Sequence, residues 1–135
     1  MKPIVNTILC FALTLIFTGS ISVFGQGPNW KWQNPLPTGN SFYDVHFVDA
    51  QTGWAVGWVG TILKTTNGGS TWSIQNSGTP YHIYSVQFID SQTGWAVGDS
   101  AILKTNNGGT TWNRQGNGNE GRLTSVYFIN NQTGW

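Results

Sequence analysis

The sequence predicts an all-β protein built from repeated four-stranded antiparallel units, about two and a half of them. Three observations carry that expectation. The segment Phe-Val-Asp-Ala-Gln-Thr-Gly-Trp-Ala-Val-Gly (47–57) recurs as Phe-Ile-Asp-Ser-Gln-Thr-Gly-Trp-Ala-Val-Gly (88–98), and starts again as Phe-Ile-Asn-Asn-Gln-Thr-Gly-Trp (128–135), at offsets of 41 and then 40 residues. Such a period marks an array in which each unit is one supersecondary motif. A second block, Thr-Ile-Leu-Lys-Thr-Thr-Asn-Gly-Gly-Ser-Thr-Trp (61–72), returns 40 residues on as Ala-Ile-Leu-Lys-Thr-Asn-Asn-Gly-Gly-Thr-Thr-Trp (101–112). Between these blocks apolar residues alternate with period two, bounded by Gly and Asn, and no stretch of useful length carries helical periodicity.

The first 25 residues read as a signal peptide. Lys2 precedes a ten-residue apolar run, 8–17, which ends in Thr18, Gly19 and Ser20. The run is much shorter than the roughly 20 apolar residues that span a bilayer, so no transmembrane anchor is expected. Cys10 lies inside it and reads as a small hydrophobe rather than a lipid-attachment site. The repeat region then fills residues 26–135. Trp32 stands 40 residues before Trp72, so residues 26–40 are expected to supply the last strand of a preceding unit. Residues 41–76 form the first full unit, 77–116 the second, and 117–135 the start of a third.

Each strand has its own signal. In the first unit residues 42–48 place Tyr43, Val45 and Phe47 on one parity. Residues 53–58 form a second apolar run, 61–65 a third, and 71–75, around Trp72, a fourth. The second and third strands are joined by residues 57–60 in the first unit and 98–100 in the second. The third and fourth are joined by Asn67-Gly68-Gly69 and by Asn107-Gly108-Gly109, because Asn-Gly readily enters the positive-φ region of a tight hairpin. Four short antiparallel strands in about 40 residues, repeated with aromatic and glycine markers, are the signature of a β-propeller blade. The chain then holds an incomplete propeller, and its beginning with a last strand suggests ring closure.

The phrase Thr-Thr-Asn-Gly-Gly-Ser-Thr-Trp (65–72), with its copy at 105–112, resembles the Asp-box of BNR-type propellers. Together with Gly-Trp-Ala-Val-Gly and Ile-Leu-Lys-Thr, the unit resembles the repeat of the photosystem II stability and assembly factor family over residues 30–135. The resemblance implies a seven-bladed-type propeller, a non-catalytic scaffold and a protein partner, and the family has secreted bacterial relatives outside photosynthesis. Asn67 and Asn107 stand where the box usually has Asp. An amide also accepts the turn's hydrogen bonds, so the hairpin is expected to persist, but a calcium or anion role does not carry over.

Composition excludes several other functions. Charged residues make up 8% of the chain, the net charge is +1 and there is one cysteine. A nucleic-acid footprint is therefore missing, as is a zinc or disulfide framework, and no catalytic, cofactor or metal residues are assigned. The 18 glycines and 8 tryptophans belong mainly to the scaffold: Gly53, Trp54, Gly57, Asn67, Gly68, Gly69 and Trp72 in the first unit, and Gly94, Trp95, Gly98, Asn107, Gly108, Gly109 and Trp112 in the second. The tryptophans are expected to pack blades together. Asp49, Asp90 and Asn130 are expected to cap the turn after strand one, and Lys64 and Lys104 to lie on a solvated face.

A site is sought where the copies differ, since repetition encodes the scaffold. Trp58 stands where the second unit has Asp99, and His46 matches Gln87 and Tyr127. The links into the next unit also differ, 77–82 against 117–122. In a propeller these links and the turns between strands two and three share a face, so Trp58, Tyr81, His82, Asp99, Glu120 and Arg122 form the candidate partner-contact surface. Two function classes compete for it. One is a protein-interaction scaffold. The other is a sialidase-like glycoside hydrolase or glycan-binding module, which would need an arginine cluster, a tyrosine nucleophile and carboxylates, yet the chain has only Arg114 and Arg122. The expected location is periplasmic, cell-surface or extracellular, or the thylakoid lumen in a photosynthetic host. The neutral, Asn/Gln-rich chain fits a non-photosynthetic bacterial relative at least as well.

Overall fold

Two four-stranded antiparallel sheets, each a simple meander, make up the computed structural model, which describes residues 38–116 and 120–135. The signal-peptide segment, most of the expected opening strand with Trp32, and residues 117–119 lie outside the described residues. In the first sheet β1 (Phe42–Phe47), β2 (Gly53–Gly57), β3 (Ile62–Thr65) and β4 (Ser73–Gln75) lie side by side in chain order. In the second, β5 (Ile83–Phe88), β6 (Gly94–Gly98), β7 (Ala101–Thr105) and β8 (Asn113–Gln115) repeat the pattern. All four expected strands of the first unit shorten, β1 and β3 by one residue each. Trp58 leaves β2 for a single 3₁₀ turn, Trp58–Gly60, and Thr71 and Trp72 belong to the turn before β4. Of the third unit, Phe128 bridges Gly134, and Tyr127 and Trp135 exchange backbone hydrogen bonds of 2.8 Å.

Register follows the repeat. Phe47 pairs with Gly53 and His46 with Trp54, as Phe88 pairs with Gly94 and Gln87 with Trp95. The unequal offsets in the sequence have a local cause. Three residues, Trp58, Val59 and Gly60, turn the chain between β2 and β3, whereas Asp99 and Ser100 suffice between β6 and β7. The longer turn places Val59 at φ 51°, ψ 50°, a region unfavourable to a β-branched residue.

The core forms between the sheets. Trp54, Val56 and Ile62 of the first meet Ile83, Val86, Phe88, Ala96, Leu103 and Trp112 of the second. Its centre is a stack in which the Trp54 and Phe88 rings lie 3.5 Å apart and 8° from parallel. The next joint repeats it, Trp95 on Phe128 at 3.7 Å and 5°. Glycine makes the stack possible. A Cβ at Gly53, Gly94 or Gly134 would come within 2.4–2.6 Å of the phenylalanine opposite, so each Phe ring lies flat over its glycine, and Phe88 and Phe128 offer their other faces to the tryptophan of the preceding unit. Trp72 and Trp112 behave differently, packing edge-on against the phenylalanine of their own unit at 6.0 and 5.8 Å.

Polar contacts also cross the joint. Trp54 Nε1–H donates to the Gly108 carbonyl at 3.1 Å. Asp44 accepts from Ser85 Oγ (3.0 Å) and Val86 N–H (2.9 Å), and the Gln87 side chain exchanges two hydrogen bonds with the Phe128 backbone. Lys64 and Lys104, expected on a solvated face, instead place their ammonium groups 5.3 and 4.9 Å from the Trp54 and Trp95 ring centroids. Such contacts favour a cation lying over the ring.

The turns close as the sequence suggested. Oδ1 of Asp49 accepts from the N–H groups of Gln51 and Thr52, Asp90 does the same for Gln92 and Thr93, and Asn130 for Gln132 and Thr133. Asn67 Oδ1 accepts from Thr65 Oγ1 and from Thr71 N–H while its amide donates to Thr71 Oγ1, and Asn107 copies all three bonds. The positive φ falls on Gly68, Gly69, Gly108 and Gly109.

Candidate functional site

On one edge of the two sheets the turns between second and third strands meet the links that lead into the next unit. Gly57 and Gly98 allow the approach, because a Cβ there would lie 2.1 Å from the Ser41 carbonyl oxygen and 1.8 Å from that of His82. Trp58 N–H accordingly donates to Ser41 O, and Asp99 N–H to His82 O, both at 2.9 Å. Side chains then join the same elements. Trp58 Nε1–H donates to His82 Nε2 at 2.7 Å, and Val59 N–H faces His82 Nδ1 at 3.1 Å. Arg122 Nε–H donates to Asp99 Oδ1 at 2.9 Å. His82 and Arg122 open successive units, and Trp58 and Asp99 are the matching turn residues. The two pairs are thus one clasp in two chemistries, hydrogen-bonded rings in the first and an ion pair in the second.

Between the clasps stand Tyr43 and Tyr84, which the sequence reading missed. Both sit where the pairing register slips, Tyr43 between Phe42 and Asp44 and Tyr84 between Ile83 and Ser85, and a bulge of this kind re-aims a side chain. Their rings lie 5.1 Å apart, and His82 lies 6.4 Å from Tyr43 and 6.2 Å from Tyr84. The Tyr84 hydroxyl donates to Asp99 Oδ2 at 3.0 Å, and the Arg122 guanidinium lies 5.3 Å from the Tyr84 ring centroid. The signal was tyrosine at equivalent positions of the first two units, with Thr124 in the third.

Of the candidate residues, Trp58, His82, Asp99 and Arg122 come together. Tyr81 adjoins His82 in the chain with its ring half exposed, and its N–H donates to Thr79 Oγ1. Glu120 lies over Gly116, where a Cβ would meet Oε1 at 1.9 Å. A shallow depression of about 500 Å³ adjoins the first clasp, lined by Asn40, Val59, Thr61, Gln75, Asn76 and Thr79 among others.

The electrostatics centre on Asp99. The hydrogen bond from Arg122 holds its carboxyl below the usual range, against the opposing effect of partial burial, and the Tyr84 hydroxyl adds to the lowering. Partial burial pushes the Tyr84 phenol up, and its bond to Asp99 pushes it further. This is a surface of exposed rings with one fixed ion pair, suited to stacking and hydrogen bonding with a ligand laid across it. Among the described residues no three His, Cys, Asp or Glu side chains gather as a metal site would require. No helix among them is long and apolar enough to cross a membrane.

Residues 26–116 match the family profile described as photosynthesis system II assembly factor YCF48. The chain is 45% identical over 49 residues to the chloroplastic photosystem II stability/assembly factor HCF136 of Cyanidioschyzon merolae, covering 35% of this chain and 11% of that protein. It is 33% identical over 75 residues to the photosystem II assembly lipoprotein Ycf48 of a Picosynechococcus species, covering 54% and 22%. Among solved structures it is similar to YCF48 bound to D1 peptide, with a TM-score of 0.65, 30% identity and coverage of 73% of this chain and 34% of that one. A likeness of fold extends to YCF48 from Cyanidioschyzon merolae, at TM-score 0.60, 22% identity and coverage of 72% and 34%. The chain therefore spans about a third of the solved relatives it matches, and less of the curated ones.

Proposed function

Because this chain belongs to the family of photosynthesis system II assembly factors of the YCF48 type, we propose that it is part of an exported, non-catalytic β-propeller scaffold. The scaffold holds a segment of a protein partner on the face built by the turns and links. The observation that carries this reading is the aromatic surface there. Trp58 and Tyr43 are 47% and 48% exposed beside the Asp99–Arg122 pair, and exposed aromatics next to a fixed arginine are the residue types that dominate protein contacts. The solved relative with a D1 peptide supports a polypeptide ligand for the family's fold. Arg122 is committed to Asp99 and Tyr84, which favours a scaffold over the glycoside-hydrolase alternative, where free arginines would receive a carboxylate. In a host without photosystem II the same surface would hold a different polypeptide.

An array of overlapping synthetic peptides, D1 segments included, probed with the full chain tests the reading. Saturable binding that weakens about tenfold in Trp58→Ala and Tyr43→Ala is expected, the loss typical of a contact hot spot. Binding to none of the peptides, or binding indifferent to both substitutions, overturns it.

A further inference from the structure

We propose that His82 is a proton-sensitive latch that sets the position of the Trp58–Gly60 turn, so that the partner-holding face loosens as the pH falls. The inference rests on the reading of that face given above, and concerns its regulation. Trp58 Nε1–H points at His82 Nε2 from 2.7 Å and Val59 N–H at Nδ1 from 3.1 Å. A neutral imidazole has one acceptor nitrogen and an imidazolium has none. Neutral His82 therefore satisfies one of the two donors, the closer Trp58 indole when Nδ1 carries the proton. Protonated His82 satisfies neither and opposes an N–H to each.

The turn is built to respond. Val59 sits in the left-handed region at φ 51°, and the turn has one residue more than its counterpart at Asp99–Ser100. Its ends stay fixed when the latch opens, because Trp58 N–H remains bonded to Ser41 O and Thr61 N–H to Trp58 O. What is released is the indole; the Val59 N–H, which already faces the protonated Nδ1 in the neutral state, then faces a cationic ring. The groups facing His82 are Tyr43 from β1, Tyr84 from β5 and Asp99 from the β6–β7 turn, and Asp99 is paired with Arg122 from the link beyond β8. The equivalent clasp of the second unit supplies an internal control. Arginine stays charged throughout and Asp99 is held ionised by it, so that clasp does not respond over the pH 5 to 8 or so in which histidines change charge.

Nuclear magnetic resonance of the full chain tests the latch without any partner, so its failure is distinguishable from failure of the binding reading. The Trp58 indole N–H is assigned with Trp58→Phe, and followed with the Val59 amide and the His82 ring. The expected result is that both N–H signals move with the His82 titration. The Trp58 indole hydrogen should also exchange about fivefold faster on the acid side than in His82→Gln at the same pH, the factor for loss of one ordinary hydrogen bond. In His82→Gln, whose amide oxygen accepts in both conditions, the two signals should hold still. Signals that ignore the His82 titration, or that move equally in His82→Gln, overturn the proposal.

Discussion

At the scale of single residues, Asp99 shows how one carboxylate serves two neighbours. It accepts from Arg122 and from the Tyr84 hydroxyl; the Arg122 bond chiefly holds Asp99 below the usual carboxylate range, while partial burial first and the bond to Asp99 second push Tyr84 above the usual phenol range. A carboxyl depressed by folding contributes stability that is present above its unfolded-state pKa and is lost as pH falls through the folded value. Asp99→Asn should therefore remove one component of the acid sensitivity of unfolding, read as denaturant midpoints across acidic pH. It should also bring the Tyr84 phenol down, because two of the influences that raise it come from Asp99 while the lowering by Arg122 remains. Phenolate absorbance compared with Tyr84→Phe measures that shift. The candidate residues at this scale were legible where the repeats disagree, as at Trp58 against Asp99. Tyr43 and Tyr84 were not, because agreement between copies reads as scaffold, and the bulge that turns both toward the site depends on a slip in hydrogen-bond register that side-chain alternation does not encode.

At the scale of elements, the same strand has two environments. Val45 and Phe47 of β1 are 54% and 41% exposed, while Val86 and Phe88 at the matching positions of β5 are each 3% exposed. The same Val and Phe stand at these positions of both strands; the neighbouring sheet differs. Among the described residues, a tryptophan-bearing sheet is laid against β5 and none against β1. The alternation that announced β1 thus identified a joint face without revealing whether anything lies across it. The glycine before each tryptophan now has a reason too, since it lets the opposite phenylalanine lie flat. Removing the tryptophan should show what the joint is worth. Trp54→Ala deletes a fully buried ring, its stack and its bond to Gly108, and is expected to cost about 3–5 kcal/mol in urea unfolding. Trp135→Ala, at a ring 74% exposed, is expected to stay within about 0.5 kcal/mol. Equal effects would mean that the stack does not hold the sheets together.

At the scale of the whole molecule, meander topology, strand order and both hairpin classes were legible because each is written twice in the chain. The position of the joint was not, since it depends on rings 34 residues apart, Trp54 and Phe88, meeting face to face. The first sheet presents Tyr43, Val45 and Phe47 and the third unit presents Trp135, all exposed, and apolar surface of this extent favours association. Sedimentation of the 135-residue chain should show concentration-dependent assembly that Phe47→Glu reduces, and a monomer at every concentration would refute that. The three-residue turn at Trp58 has a different consequence. One unit carries an additional residue there, yet the strands on either side pair as they do in its neighbour, so a change of length is absorbed before it reaches the sheet. Selection can therefore rewrite that rim blade by blade, acquiring a new ligand preference at one turn while the inherited framework stays in register.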